Sequence, residues 1–288
     1  MEPERSYKQR GSPDCPIEVY TSRTTPDHIR FTHWHPELEL LLVKKGYSVY
    51  RLDKEMIRVN PGQILLIPPG MIHGQQQFSP DIMGWSIVIS PEAITLPENH
   101  IFQKEFVEPL QAGLLRLPHL LSPGEELHTA LFPTMAALPK CKIYEEDYKL
   151  KRFASAMMIC LALVAFCKKD GTAAPLPKGN PAVKECMRYI HRNYTEPLTI
   201  RFLADHVHLQ PNYLCALFKE HTGQTVMEHL SQIRVNAAAF LLRNNDLPMA
   251  RVSELSGFHS ESVFFRQFKE RMGVTPKTYK RSILKAKE

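Results

Sequence analysis

Four residues in the first third of the chain have types and spacing that could do chemistry. His33, His35 and Glu39 stand in the spacing H-x-H-x3-E, with Gly46 closing the run, and Gly62, Pro68, Gly70 and His73 stand in the spacing G-x5-P-x-G-x2-H. Alternation along a strand would point His33 and His35 to one face with Glu39 in phase. His73, from a second strand, would complete three imidazoles and a carboxylate, a donor set that suits Fe, Mn, Ni or Zn. The same groups would equally serve as the polar wall of an organic pocket. Trp34, Tyr47, Tyr50 and Trp85 are the aromatics available to such a pocket, and aromatic faces beside polar neighbours suit a pyranose ring. No phosphate-binding Gly-rich loop and no G-x-S-x-G elbow accompanies them, so no second catalytic constellation is in view.

The elements that must position these residues are short β-prone runs, IEVY, LELLLV, YSVYRL, GQILLIP and GWSIVI, separated by Pro, Gly, Asn and Asp between residues 17 and 90. Regular spacing of such runs predicts a small barrel or sandwich. Apolar residues at helical spacing follow over 123–138 and 145–169. The second stretch starts acidic, ends basic and carries a wide apolar face, which either packs on the barrel or forms a dimer seam. DGTAAPLPKGNP, residues 170–181, has a linker's composition. Beyond it the pattern predicts helices at 182–194, 199–207, 211–221, 225–244, 249–256, 260–271 and 276–285. The fold class expected is therefore α+β in two domains: a barrel over 1–122, a helical segment over 123–169, a linker over 170–181 and an all-helical domain over 182–288.

Charge divides the same way. Of the 288 residues, 178–288 hold 17 Lys and Arg against 10 Asp and Glu, whereas 1–177 hold 19 against 20. A basic domain behind a neutral one is the electrostatic footprint of a nucleic-acid binder carrying a second module. The six cysteines are scattered with no Cys-x-x-Cys pair, which predicts reduced thiols and no zinc ribbon. The longest apolar run, residues 156–166, falls short of the roughly 20 residues a membrane span needs, and the charged N-terminus is unlike a secretory leader. A soluble, cytoplasmic protein is expected.

Within the basic domain, two helix pairs share one design about 50 residues apart. Leu203-Ala204 and Leu255-Ser256 lie on the first helices, Phe218-Lys219 and Phe268-Lys269 end the second, and Gly223 and Gly273 follow. A short helix, tight turn and second helix form the unit that enters a major groove. A connecting helix of about 20 residues spans roughly 30 Å, close to one turn of B-DNA.

The run GFHSESVFFRQFKERMGVTPKTYKR resembles the signature of the AraC/XylS family of bacterial transcription regulators, over about the last 105 residues, with Arg234, Ala238 and Leu241-Leu242 matching on the connecting helix. The resemblance implies core roles for Phe258, Phe264 and Phe268 and a turn role for Gly257. It implies DNA-facing positions at Asn212, Cys215, Ala216 and Lys219 in the first unit and at Glu261, Ser262, Phe265, Arg266 and Lys269 in the second. Arg266 is the best candidate for a guanine contact and Asn212 for an adenine edge. The family's usual turn Gly is replaced by His208 and its usual Ser by Gln210. The N-terminal motifs resemble those of the cupin barrel, with Asp27 in place of the leading Gly and Gln77 in place of the trailing Asn. Sensory barrels of AraC-type regulators often keep fragments of this pattern without metal, so the ligand-binding set His33, Trp34, His35, Glu39, Tyr47, His73 and Trp85 is expected to take an organic effector, with no cofactor. The partners implied are double-stranded DNA, a small molecule such as a carbohydrate, RNA polymerase and a second copy of the chain. The rival readings are a metal-dependent cupin enzyme tethered to DNA, with His33, His35, Glu39 and His73 as its ligands, and a nucleoid binder whose barrel only dimerises.

Overall fold

The computed structural model describes residue 15 and residues 17–22, 32–91, 94–95, 97, 100–115, 117–140, 147–170 and 179–285. Asp27, Cys141 and linker residues 171–178 lie outside them. The chain divides into two compact units, one holding residues 32–179 with the first strand, the other residues 180–288.

The first unit is built from β1 (Ile17–Ser22), β2 (Leu38–Lys45), β3 (Ser48–Leu52), β4 (Glu55–Val59), β5 (Ile64–Ile67), β6 (His73–Phe78), β7 (Met83–Ile89) and β8 (Leu120–Leu121). They form a five-stranded sheet in the order β1-β7-β2-β5-β8 and a three-stranded sheet in the order β4-β3-β6. Alternation along β2 explains why six consecutive residues, Leu38–Val43, are buried. Leu38, Leu40 and Leu42 join one core cluster, which includes residues of α1 (Glu108–Ala112), α2 (Glu126–Ala137) and α3 (Tyr148–Asp170). Leu41 and Val43 join another, with Tyr50 and Leu52 of β3 and Leu65 and Ile67 of β5. The five-stranded sheet is thus buried on both faces, by helices on one side and by the three-stranded sheet on the other. A sheet covered on both faces reads as continuous apolar runs.

Three strands lie outside the sequence expectation, β4, β6 and the two-residue β8. β6 reads HGQQQF, too polar for a β-prone run, yet it pairs with β3 from Ser48 opposite Phe78 to Leu52 opposite His73. β4 completes the hairpin with β3. β4 and β6 flank a sheet that needs only one buried face, so pairing overrides composition.

α3 buries Ala156, Ile159, Cys160 and Leu163, while Leu150, Phe153, Met158 and Leu161 are exposed. Its stretch Tyr148–Cys167 has the length of a membrane span and contains an 18-residue window with a mean hydropathy of 1.8, more than the eleven-residue run 156–166 suggests. Its buried face nonetheless belongs to the core of this unit.

The second unit contains α4 (Pro181–Arg192), α5 (Ile200–His206), α6 (Pro211–Thr222), α7 (Val226–Asn244), α8 (Met249–Leu255), α9 (Glu261–Met272) and α10 (Pro276–Lys285). Local chemistry sets most of these ends. The Asn180 side chain accepts from the N–H groups of Ala182 and Val183, Thr199 accepts from Phe202, and Thr225 and Glu228 form a capping box. Gly223 and Gly273 close α6 and α9 in the left-handed region. α7 packs against α4 and α6 on one side of the repeat and α8, α9 and α10 on the other. Arg234, on α7, donates to the carbonyls of Tyr194 and Glu196 at 2.7 and 2.8 Å, tying the α4–α5 loop to this rod.

The two turns show what a missing glycine does. Gly257, after α8, has φ 82°, and a Cβ there would come within 2.6 Å of the Tyr194 carbonyl oxygen. Its counterpart after α5, His208, adopts φ 57° with a full side chain. The left-handed region costs an L-residue roughly 1–2 kcal/mol, partly offset by the entropy a glycine loses on folding. His208→Gly is therefore expected to stabilise the second unit by about 0.5–1 kcal/mol. Urea unfolding checks it, and an unchanged or lower midpoint would show that the turn holds no strain.

Candidate DNA interface and sensor site

In the second unit, α6 and α9 each present one exposed stripe of mostly polar residues. Asn212, Ala216 and Lys219 on α6 and Glu261, Ser262, Arg266 and Lys269 on α9 are exposed, at the three- and four-residue spacings that share a helix face. Cys215 is half-buried. Phe265 is half-buried against the core, edge-on to Phe264 with ring centroids 5.3 Å apart, so packing accounts for part of its surface. Behind α9, Phe258, Phe264 and Phe268 are buried with Tyr279. Arg271 donates to the Ser231 hydroxyl, the Gln232 side-chain oxygen and the Glu228 carbonyl of α7 at 2.9–3.0 Å, fixing α9 on the rod. The sequence reading missed this role, for which the only signal was an arginine three residues beyond Phe268.

Two histidines, buried His229 and half-buried His191, add nothing to the positive face. Burial pushes His229 down to about 3 and His191 down to about 4, with neighbouring cations adding to the effect. Both are neutral at neutral pH and add no charge to attract an anion.

In the first unit, the structure brings His33, His35, Glu39 and His73 together. His33 and His73 exchange both backbone hydrogen bonds, each 2.8 Å. Directly opposed residues share a face, and the two ring centroids stand 4.4 Å apart. Gly74 permits this approach, since a Cβ there would lie 2.7 Å from the Thr32 Cα. His35 arrives differently from the expected alternation: the backbone leaves the strand between His33 and β2, and His35 meets Glu39 across four residues. Glu39 is in phase with Leu41 and Val43, and His73 stands opposite Leu52, so both point into the space between the sheets.

Glu39 Oε2 lies 3.1 Å from His35 Nε2 and 3.3 Å from His73 Nε2. Burial alone would raise the Glu39 carboxyl, but its contacts with His35 and His73 outweigh this and hold it well below the usual carboxylate range. Burial draws the His73 imidazole below its ordinary value, opposed by Glu39. A donor atom from each of His33, His35 and His73 lies within 4.8 Å of the others.

The aromatics do not all join this cluster. Trp85 stands opposite Leu42, on the helix-facing side of the sheet, and donates its indole N–H to the Met135 carbonyl at 2.9 Å. Tyr47 precedes the end of β3 that pairs with Phe78, and the five positions to the His73 end separate it by about 17 Å. Its ring stacks under the Arg58 guanidinium. Tyr50 is buried in the inter-sheet core and Trp34 is half-buried.

Two helix pairs on one rod, following in sequence a β unit with a buried polar cluster, define a DNA-binding regulator with a sensor module. The comparisons agree: residues 16–131 match the AraC-like ligand binding domain and residues 203–282 a helix-turn-helix domain. The chain is 24% identical over 256 residues to the uncharacterized HTH-type transcriptional regulator YdeC of Bacillus subtilis, covering 86% of this chain and 85% of that one. It is 24% identical over 260 residues to the melibiose operon regulatory protein of Escherichia coli, covering 87% and 83%. Apo ToxT of Vibrio cholerae, at 15% identity and a TM-score of 0.51 over 92% of this chain and 96% of that one, shares the fold. The chain belongs to the AraC family of transcription regulators. It carries a ligand-binding domain and a helix-turn-helix DNA-binding domain, and the comparisons lend no support to the cupin-enzyme reading.

Proposed function

We propose that the protein reads two segments of one duplex face through α6 and α9, under control of a polyhydroxylated small molecule bound at the histidine end of the β unit. The observation that carries the DNA reading is the pair of exposed, mostly polar stripes on helices anchored to one rod, α7. Arg266 reads a guanine edge and Lys219 holds a phosphate. Arg266→Ala is then expected to cost about 1–3 kcal/mol and relax discrimination at one base pair, whereas Lys219→Ala weakens all sequences alike. Gel shifts on operator and scrambled duplex separate the two roles. Equal losses on both duplexes with Arg266→Ala would make Arg266 a phosphate clamp.

The effector class rests on the polar cluster and on the melibiose operon regulator among the relatives. A thermal-shift series with mono- and disaccharides tests it, because a ligand of the folded state alone raises stability by mass action. No shift with any sugar would remove this class. RNA polymerase is the partner through which such a regulator acts on transcription.

Pairing of two copies is assigned to α3, whose exposed Leu150, Phe153, Met158 and Leu161 fall on one helix face. Leu161→Glu with Met158→Glu is expected to shift a dimer to monomer in analytical ultracentrifugation. An unchanged sedimentation coefficient would place the contact elsewhere.

A further inference from the structure

We propose, resting on the regulator reading, that a hollow at the turn between α5 and α6 receives an arginine side chain of RNA polymerase. The hollow has a volume of about 510 Å³ and is lined by Asp205, His208, Leu209, Gln210 and Tyr213. Its chemistry selects a cation. The lining brings one carboxylate, an amide oxygen and an aromatic ring, with no lysine or arginine, inside a unit where 178–288 hold 17 Lys and Arg against 10 Asp and Glu. Among the described residues, the side chains of Asp205, His208, Gln210 and Tyr213 make no hydrogen bond or ion pair. A phosphate would be repelled by the Asp205 charge. A guanidinium pairs with that carboxylate, lies on the Tyr213 ring, which is 57% exposed, and has N–H groups left for the Gln210 oxygen. A lysine ammonium could make the ion pair but has no planar face to stack.

The second helix pair carries the same positions and closes them. Counted from the turn residues His208 and Gly257, Asp205 corresponds to Glu254 and Phe202 to Arg251. Glu254 is ion-paired with Arg251, whereas Phe202, 47% exposed, offers Asp205 no charge. Counted back from the closing glycines Gly223 and Gly273, Tyr213 corresponds to Val263, which packs on the core of its own pair. One copy of the repeat therefore presents to solvent an acid and a ring that the other copy has paired or packed away.

Position favours a protein partner. Tyr213 stands about 100° round the α6 axis from Asn212, beside the stripe of Asn212, Ala216 and Lys219 and not within it, so a base edge facing that stripe leaves the hollow uncovered. Every lining residue except Leu209 is exposed. Small-molecule sites bury about 70–90% of their ligand, whereas a side chain carried on a large surface brings its own cover. RNA polymerase is the macromolecule that a regulator on promoter DNA must meet.

The test uses the full-length protein on operator duplex, with bacterial RNA polymerase holoenzyme added and capture read as a supershift in native gels. Wild type is expected to be supershifted. Asp205→Ala and Tyr213→Ala are each expected to weaken capture about three- to tenfold, the size of one cation contact. Operator affinity without polymerase is expected to stay within about twofold, as for other surface substitutions. Circular dichroism checks that both variants are folded. Tyr213→Phe, which keeps the ring, is expected to restore capture, and Glu254→Ala, whose carboxylate is already paired, is the control. Unchanged capture by Asp205→Ala overturns the proposal, as does an equal loss of operator affinity, which would make the hollow a DNA contact. A wild-type operator complex that polymerase does not supershift also overturns it and leaves the regulator reading standing. Absence of any operator complex is the failure of that reading and of the proposal with it.

Discussion

Raising salt from 50 to 200 mM is expected to weaken operator binding by the full-length protein about 10³-fold. Arg201, Lys219, Arg266, Lys269, Lys277 and Arg281 are exposed cations of the DNA-binding unit. If each neutralises one phosphate, about six condensed counterions are released, and affinity falls with a log–log slope of roughly −5. Neutral His191 and His229 contribute nothing to that slope. Fluorescence anisotropy over a salt series measures it directly. A slope shallower than about −2 would mean that most of these cations stay in water when DNA binds.

The second large effect is on stability. Phe264 is fully buried, with ring centroids 5.4 Å from Phe258 and 5.7 Å from Phe268. Phe264→Ala removes a whole ring from this cluster and is expected to cost about 3–5 kcal/mol. A domain of this size is stable by only about 5–15 kcal/mol in total, so operator binding should fail at moderately raised temperature while the β unit keeps its structure. Urea unfolding followed by circular dichroism gives the value. A loss under about 1 kcal/mol would show that the neighbouring rings refill the space.

How far such features were legible in the residues depends on whether the signal is local. The helices of the second unit follow their caps, glycines and prolines, so their ends fall within a residue or two of expectation. Phe264 and Arg266 separate into core and surface by helical spacing alone. The departure at His208 is equally local, and the backbone there shows the glycine-like φ that the turn demands. Strand parity is also local: it put Glu39 on one face, whereas His73 was joined to it through the second motif, from another strand. Parity cannot say which face of a doubly covered sheet looks toward the other sheet, and Trp85 was therefore assigned to the cluster although it faces the helices. Nor can it say which end of a hairpin a residue occupies, which is why Tyr47 was grouped with histidines about 17 Å away along β3. β6, with three consecutive glutamines, is a strand through its neighbours rather than its own composition.

Because α7 packs on both helix pairs, one chain is a ruler for its own target. Nineteen residues of helix span about 28 Å, and no flexible hinge interrupts them. Lengthening the target by half a helical turn between its two contacted segments would rotate one segment to the far side of the duplex. A protein with two tethered reading heads could follow such an insertion by moving one of them. Here the cost would fall on the rod itself or on the DNA, which would have to untwist, so tolerance to spacer changes should be denied within a single chain's site.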